Sequence, residues 1–443
     1  MRELRSNAGA WAKVFSPADY IKITVLGFAT TALWQSLHTI ILPLRLLDFV
    51  AESQKNTYLG LLTFAGLILA MLIQPIAGLI SDRSGFSWGR RRPYILVGTM
   101  LTILFLPGIG LAGSFIVLFT AYCLLQISSN IAQGPYQGLI PDLVPEGKRG
   151  RASGIKSMLE LIGGAIALLI IGIFMALYAA GEGSRWLWLV LAILGTVLLV
   201  AMVATVLTVK ERPGIAAPRL PILPTIYQTF KIDLKANHNF IWFLASRLLV
   251  FMAFATVQQF TLYFLKDVVD IADPAEATSR FFVIAVIGML AVVYPAGRLS
   301  DKIGRKPIAI SSGLLGAVAI AIVFFSHNYT SILIAGGVMG IAIGAFMSTN
   351  WALAVDLVAK GEEARYLGLA NMATAGGAAL ARLIGPVIDF FNVQSAGLGY
   401  QVMLAVCFVY FVAGALLLLK IKDQHNRRSA VQHPTPTQQS TSG

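Results

Sequence analysis

The sequence predicts an all-α integral membrane protein whose twelve transmembrane helices form two homologous six-helix halves. Three observations carry that prediction. The first is composition: 57% of the 443 residues are hydrophobic and only 12% are charged, against roughly 25% charged in an ordinary soluble domain. A water-soluble fold of this length has too little interior to hide so much apolar surface, so lipid must be the solvent for most of it. The second is spacing, since apolar runs of about 20 residues, enough to cross a hydrocarbon layer, recur along the whole chain. The third is internal repetition. Ala77 to Arg83, followed by Gly89 to Pro93, returns 219 residues later as Ala296 to Lys302, followed by Gly304 to Pro307. Asp142, Gly147, Arg151 and Gly154 return as Asp356, Gly361, Arg365 and Gly368, shifted by 214. Two independent repeats with nearly one period mark a duplicated chain.

Residues 1–19 are polar and of mixed charge, without the apolar core or cleavage site of a signal peptide, and read as a cytoplasmic N-terminus. Spans follow at 20–47, 57–81, 94–113, 115–140, 153–178 and 185–208, which make up a first half over 20–208. The stretch 209–238 is charged and rich in proline, so it reads as a cytoplasmic linker, with room for a short amphipathic helix on the membrane surface. Spans at 239–265, 279–299, 307–326, 330–355, 365–391 and 397–420 make up the second half, 239–420. Residues 421–443 are rich in Gln, Thr, Ser and Pro and read as a disordered tail.

The net charge of +13 does not point to nucleic acid, because its placement follows topology. Of 34 Lys and Arg, 26 fall in the termini or in alternate loops, while the opposite loops hold only Lys55, Arg185, Lys266 and Arg280. That asymmetry places both termini in the cytoplasm of a multi-pass cell-membrane protein in contact with anionic lipid. Cys123 and Cys407 lie inside apolar runs and read as small core residues. No metal-ligand cluster, zinc-protease motif or phosphate-binding glycine loop occurs. The chain therefore reads as neither an enzyme nor an ATP-driven pump, and no cofactor is implied.

Few ionisable groups stand at membrane depth: His38, Arg45, Lys156, Glu160, Arg247, Arg382 and Asp389. A charge at a helix centre costs about 2.5–3.5 kcal/mol on insertion scales, so each needs a partner or water. Arg45 and Asp389 lie near the outer ends, where they can snorkel to the interface. Glu160 is the one acid well inside a span; Lys156, four residues before it, shares its helix face. Arg247 is a second candidate partner. An acid that exchanges its proton for a cationic neighbour is the simplest coupling switch, and a static ion pair is the competing reading. His38 is a further candidate proton carrier or solute ligand.

Uncharged polar groups gather on the first helix of each predicted three-helix unit. The first span carries Trp34, Gln35 and His38; the fourth carries Gln126, Asn130, Gln133 and Tyr136 at helical spacing. The seventh has Gln258 and Gln259, and the tenth Asn350 and Trp351. A cavity lined by amides and indoles with almost no formal charge suits a neutral polyol, because amides bond hydroxyl groups and indoles cover a pyranose face. Interhelical hydrogen bonding that only joins the bundle is the alternative for any one amide.

In the repeated turns, Gly78, Asp82, Arg83, Arg90 and Arg91 correspond to Gly297, Asp301, Lys302, Arg305 and Lys306, while Asp142 and Arg151 correspond to Asp356 and Arg365. An acid at a helix C-terminus is disfavoured by the macrodipole unless it accepts strong bonds. Asp82 and Asp301 therefore call for the neighbouring cations, and the cluster reads as a latch on a cytoplasmic gate.

The paired Gly-x-x-x-Asp-(Arg/Lys) turns, twelve spans and central linker resemble the major facilitator superfamily. Within it, Ser81-Asp82-Arg83, Trp88 to Leu96, Asn130, Gln133-Gly134-Pro135 and Asp142 are similar to plant sucrose transporters, their animal relatives, and the glycoside–pentoside–hexuronide:cation symporters. The second span has no acid, which departs from the sodium-using melibiose branch; Tyr136-Gln137 stand where the plant pattern has a basic residue. The resemblance implies the major facilitator fold, alternating access, and proton-coupled uptake of a neutral sugar or glycoside by a monomer. Transport of another small solute in either direction, or a non-transporting membrane assembly role, remains open.

Overall fold

The computed structural model describes residues 17–211, 238–326, 328–357 and 363–421. Twelve helices long and apolar enough to cross a membrane are present among them. The first six are α1 (Ala18–Leu46), α2 (Glu52–Asp82), α3 (Arg92–Leu111), α4 (Phe115–Leu143), α5 (Arg149–Ala179) and α6 (Arg185–Thr208). The last six are α7 (His238–Asp267), α8 (Pro274–Ile303), α9 (Arg305–Phe325), α10 (Tyr329–Leu357), α11 (Tyr366–Gln394) and α12 (Leu398–Leu419). Each predicted span is found within a few residues. Most of the linker expected over 209–238, and the tail after 421, lie outside the described residues.

Helices alternate in direction, so the bundle has two ends. The turns rich in arginine share one end with the start of α1 and the end of α12, and this is called the basic end; the opposite is the far end. Large apolar side chains such as Leu111, Ile116, Leu207 and Phe325 point outward with most of their surface bare. An apolar coat of that extent has no place on a protein surrounded by water.

Within the first six helices, α1 packs on α5 while α4 packs on α2 and α3; within the last six, α8 and α9 pack on α10, and α7 on α11 and α12. The two sets meet along α2–α11, α5–α8 and α1–α7. Two of the helices at this junction are broken. α1 passes through a π-helical turn at Leu37–Ile41, and α11 through a 3-10 turn at Ala381–Ile384. Each break lies just before a proline, Pro43 and Pro386. A proline has no N–H for the carbonyl four residues earlier, and its ring crowds that carbonyl, so the ladder opens there. Beyond the break, the Tyr263 hydroxyl of α7 donates to the Pro43 carbonyl at 2.7 Å, which ties α1 to the other set.

Arg45 and Asp389 do not snorkel to the interface as the sequence suggested; both are buried. Arg45 Nε donates to the Ile109 carbonyl at 3.2 Å, and its Nη2 to Gly110 and Ala112 at 3.3 and 2.6 Å. It also bonds Asp48 and, at 3.2 Å, the Tyr178 hydroxyl. The guanidinium thus closes the C-terminus of α3, where four carbonyls lack intrahelical donors and a cation is favoured. Arg45→Met keeps the bulk but removes these donors. It is expected to lower stability by about 3 kcal/mol, measured by unfolding in detergent.

Candidate functional site

A cavity of about 180 Å³ lies where α1, α4 and α7 meet, lined by Thr30, Thr31, Trp34, Gln35, His38, Gln133 and Gln258. A single buried water needs only roughly 10–15 Å³, so the space is of solute size. Five sequence candidates therefore come together: Trp34, Gln35, His38, Gln133 and Gln258. Thr30 and Thr31 were missed, although their spacing of one turn from Trp34 and Gln35 puts them on the same stripe of α1. None of the lining side chains carries a fixed charge. A smaller void of about 20 Å³ among α7, α8, α9, α10 and α12 is walled by apolar side chains and by Thr261, whose hydroxyl is already bonded to the Val257 carbonyl.

Three hydrogen bonds hold the polar wall. Gln258 Nε2 donates to Gln35 Oε1 at 2.9 Å, joining the two sets of helices across the cavity. Trp34 Nε1 donates to Ser129 Oγ at 3.0 Å. His38 Nε2 lies 2.8 Å from the Tyr122 hydroxyl, which itself accepts from Gln126 Nε2 at 2.8 Å. The hydroxyl proton is therefore left for His38. The Trp34 ring stands 5.3 Å from the imidazole and 6.2 Å, edge-on, from Tyr122.

The other candidates lie off this wall. Gln126 and Asn130 are buried behind it; Asn130 Nδ2 donates to the Gln126 carbonyl at 2.8 Å and to its Oε1 at 3.2 Å. Gln259 faces away from the cavity, and both its amide atoms are buried without a partner among the described residues. Asn350 and Trp351 group with Arg247. That guanidinium bonds Asn350 Oδ1, the Ala370 carbonyl at 3.0 Å and Thr374 Oγ1 at 2.8 Å, and lies 5.5 Å over the Trp351 ring. Arg247 is thus satisfied by neutral acceptors and is not the partner of Glu160.

Glu160 pairs with Lys156 at 3.7 Å. The Lys156 amine sits 4.9 Å above the Tyr136 ring, so Tyr136 belongs to this cluster and not to the cavity wall. Gly27 of α1 makes the cluster possible: a Cβ there would fall 2.5 Å from both Glu160 Oε1 and the Tyr136 hydroxyl. That hydroxyl instead accepts from the Gly27 N–H at 3.0 Å and donates to the Thr24 carbonyl at 3.1 Å. Arg382, in the broken turn of α11, is buried within electrostatic reach of His38 and Tyr122. Its Nη1 bonds the Ala378 carbonyl, and its Nε has no partner among the described residues. The sequence marked its depth but not its neighbours.

At the basic end, the bonds described among the repeated turns stay within one set of six. Arg90 and Arg91 both hold Asp142, the former at 2.6 Å, and Arg91 Nη2 holds Asp82 at 2.6 Å. The Arg91 N–H also donates to Glu211 at 2.8 Å; burial pushes that carboxyl up, and the arginines and backbone donors oppose the shift. In the second copy, Arg305 holds Asp356 at 2.7 Å and reaches Asp301 at 3.9 Å. Gly78 faces the Gly134 backbone, Gly297 faces Ser348, and Arg151 stacks 5.6 Å from the Tyr20 ring. Arg83 is engaged as well, and the Arg365 side chain lies outside the described residues.

At the far end, the bonds cross between sets. Lys55 meets Asp267 at 2.7 Å, Lys266 meets Glu52 at 2.5 Å, and Asn56 Nδ2 donates to Asp389 at 2.8 Å. The two sets are therefore fastened together at cavity level and beyond it toward the far end.

A polar cavity midway along twelve spanning helices, shared by two sets of six, defines a membrane transporter. The chain belongs to the MFS/sugar transport protein family, whose model matches residues 24–421. This is a family of transporters, not of enzymes. A lactose permease of Lactobacillus helveticus is 24% identical over 385 residues, 80% of this chain and 57% of the relative. The sucrose transport protein SUT1 of Oryza sativa subsp. japonica is 32% identical over 143 residues, 27% of this chain and 25% of the relative. The minor myo-inositol transporter IolF of Bacillus subtilis is 26% identical over 136 residues, 31% of this chain and 30% of the relative. In each, the match spans less than two thirds of the relative's own length. Among solved structures, a D-xylose-proton symporter aligns with TM-score 0.71 at 17% identity, covering 92% of this chain and 98% of that one. The nucleoside transporter NupG gives TM-score 0.71 at 16% identity, covering 91% and 98%. The major facilitator fold expected from the repeated turns is thus the fold observed.

The layering of the amides has a measurable consequence. Gln126→Ala or Asn130→Ala is expected to lower stability by about 1–2 kcal/mol, because each breaks bonds inside the buried layer. Gln133→Ala, at the cavity wall, is expected to change it by less than about 0.5 kcal/mol. Thermal unfolding of the three variants in detergent checks this.

Proposed function

We propose that the protein is a secondary transporter that carries a neutral sugar or glycoside together with a proton by alternating access. The observation that carries this reading is the cavity wall of amides, hydroxyls, one indole and one imidazole with no fixed charge. Hydroxyl groups of a polyol bond amides pairwise, and the Trp34 ring offers a flat apolar surface to a sugar ring. The relatives' names point the same way: sucrose, lactose, myo-inositol and D-xylose are all neutral polyhydroxylated solutes.

Glu160 is the proton carrier in this reading. Its pairing with Lys156, and its place against the backbone of α1 one turn before Thr30 and Thr31, link its charge to the helix that lines most of the cavity. Loss of its charge would free Lys156 and alter the packing of α1 on α5. The basic end faces the cytoplasm by the distribution of Lys and Arg, with both termini there. The two six-helix sets are homologous halves joined through the 209–238 linker, the gate at the basic end is built from the repeated turns, and the protein works as a monomer in the cell membrane.

Uptake of radiolabelled sucrose, maltose and glucose into proteoliposomes tests the reading. Accumulation of at least one sugar is expected only with an imposed inward proton gradient. No uptake of any sugar by correctly folded protein would overturn the sugar assignment. Glu160→Gln is expected to abolish accumulation while leaving sugar exchange across the membrane. Retained accumulation would remove Glu160 from coupling.

A further inference from the structure

α2 opens with a 3-10 turn, Glu52–Gln54, and the first turn of the α-helix proper, Lys55–Asp82, has N–H groups that no residue of its own helix can satisfy. Gln54, at the N-cap position, contributes no side-chain bond. The acceptor comes from the other set. Asp389 Oδ1 accepts from the Asn56 N–H at 3.3 Å and from Asn56 Nδ2 at 2.8 Å, and Oδ2 accepts from the Thr57 N–H at 2.6 Å. A helix of the first six is therefore capped by a carboxylate of the last six.

The backbone is shaped for this contact. Gly60 of α2 faces the Arg382 carbonyl in the broken turn of α11, and Gly385 of α11 faces the Asn56 carbonyl of α2. A Cβ at either glycine would collide with the facing oxygen, so the two helices touch main chain to main chain. Lys55, the residue before Asn56, is buried and bonds Asp267 of α7 at 2.7 Å. It also bonds Glu52 of its own set at 2.5 Å. The Tyr400 hydroxyl donates to Asp267 at 2.5 Å and accepts from Asn56 Nδ2 at 3.3 Å. The charged and titratable groups around Asp389 at this end are thus Glu52, Lys55, Tyr263, Lys266, Asp267 and Tyr400.

These bonds are unequal in what separation would do to them. If the sets moved apart at the far end, Lys55 would keep Glu52. All three of the donors bonded to Asp389 belong to α2, so it would lose every one. We infer that Asp389 is a helix cap supplied in trans that holds the far end shut, and that it sets the balance between the two access states. The inference rests on the alternating movement in the transport reading, but on neither the solute nor the ion.

The test is a distance across the far end, measured without any gradient. Spin labels at Ser53→Cys and Ser395→Cys, both exposed, with Cys123 and Cys407 replaced, report the separation by pulsed EPR in nanodiscs. The parent is expected to show mainly the short distance. Asp389→Ala is expected to raise the ratio of long to short by roughly two- to thirty-fold, the range that loss of an N-cap spans. Asp389→Asn, which keeps one acceptor, should shift it less. Asn56→Ala, which removes the side-chain donor, should shift it in the same direction, and the double variant with Asp389→Ala should move little beyond Asp389→Ala alone. A long distance that sucrose, maltose or glucose populates in the parent, but that neither substitution changes, would overturn the cap and leave the transport reading standing. A single short distance in every sample, with and without those sugars, would overturn both. Full additivity in the double variant would assign the shifts to separate effects and also overturn the cap.

Discussion

In the hydrocarbon layer there is no water to bond a polar group, so backbone groups and deep charges are driven to find their partners inside the protein. The rest of the structure depends on that constraint. It explains why Arg45 reaches the exposed carbonyls of α3 instead of the interface, and why Arg247 gathers three neutral acceptors around one guanidinium. It also explains why the broken turns of α1 and α11 stand at the junction of the two sets and not against lipid. Irregular backbone at membrane depth is tolerated only where protein or a cavity covers it.

The polar groups sort into layers along the bundle. At the basic end, ion pairs tie α2, α3 and α4 to one another, and α9 to α10. At mid-depth lies the uncharged cavity, with the Lys156–Glu160 pair nearer the basic end. At the far end, charges and a helix terminus are exchanged between the sets. The hydrogen-bonding groups of the cavity wall are already aimed at one another, held from behind by the Gln126–Asn130–Tyr122 chain. Such a wall stays polar and in place without a solute, and this preorganisation limits the ordering that binding requires.

Much of this was legible in the sequence, and the reason is depth. Hydropathy locates a residue along a span, so the twelve helices, the polar stripe of α1 and the Lys156–Glu160 pair could all be read from spacing alone. The lateral neighbours could not. Arg247 and Glu160 looked like partners because both lie deep, yet α7 and α5 present them to different surroundings. Gln126, Asn130 and Gln133 share a helical face by number, but a few tens of degrees around α4 decide which amides bond each other and which line the cavity. Asp389 sits near a helix end, where an acid usually meets water; only the crossing of α2 and α11, set by Gly60 and Gly385, places the N-terminus of another helix in front of it.

The hydrogen bond from Gln258 to Gln35 spans the space a solute would fill. A polyol that bonds both amides must first part them, so its hydroxyl groups replace an interaction the empty protein already makes. Binding is then an exchange between two nearly equal sets of hydrogen bonds, and the net gain is the small difference that remains. On the proposed transport reading, a carrier built this way would hold its cargo loosely and let it go without a separate push. On that reading, the same exchange would remove a tie between the two sets of helices whenever the site is occupied, so that the presence of cargo would itself be read by the joint on which movement depends.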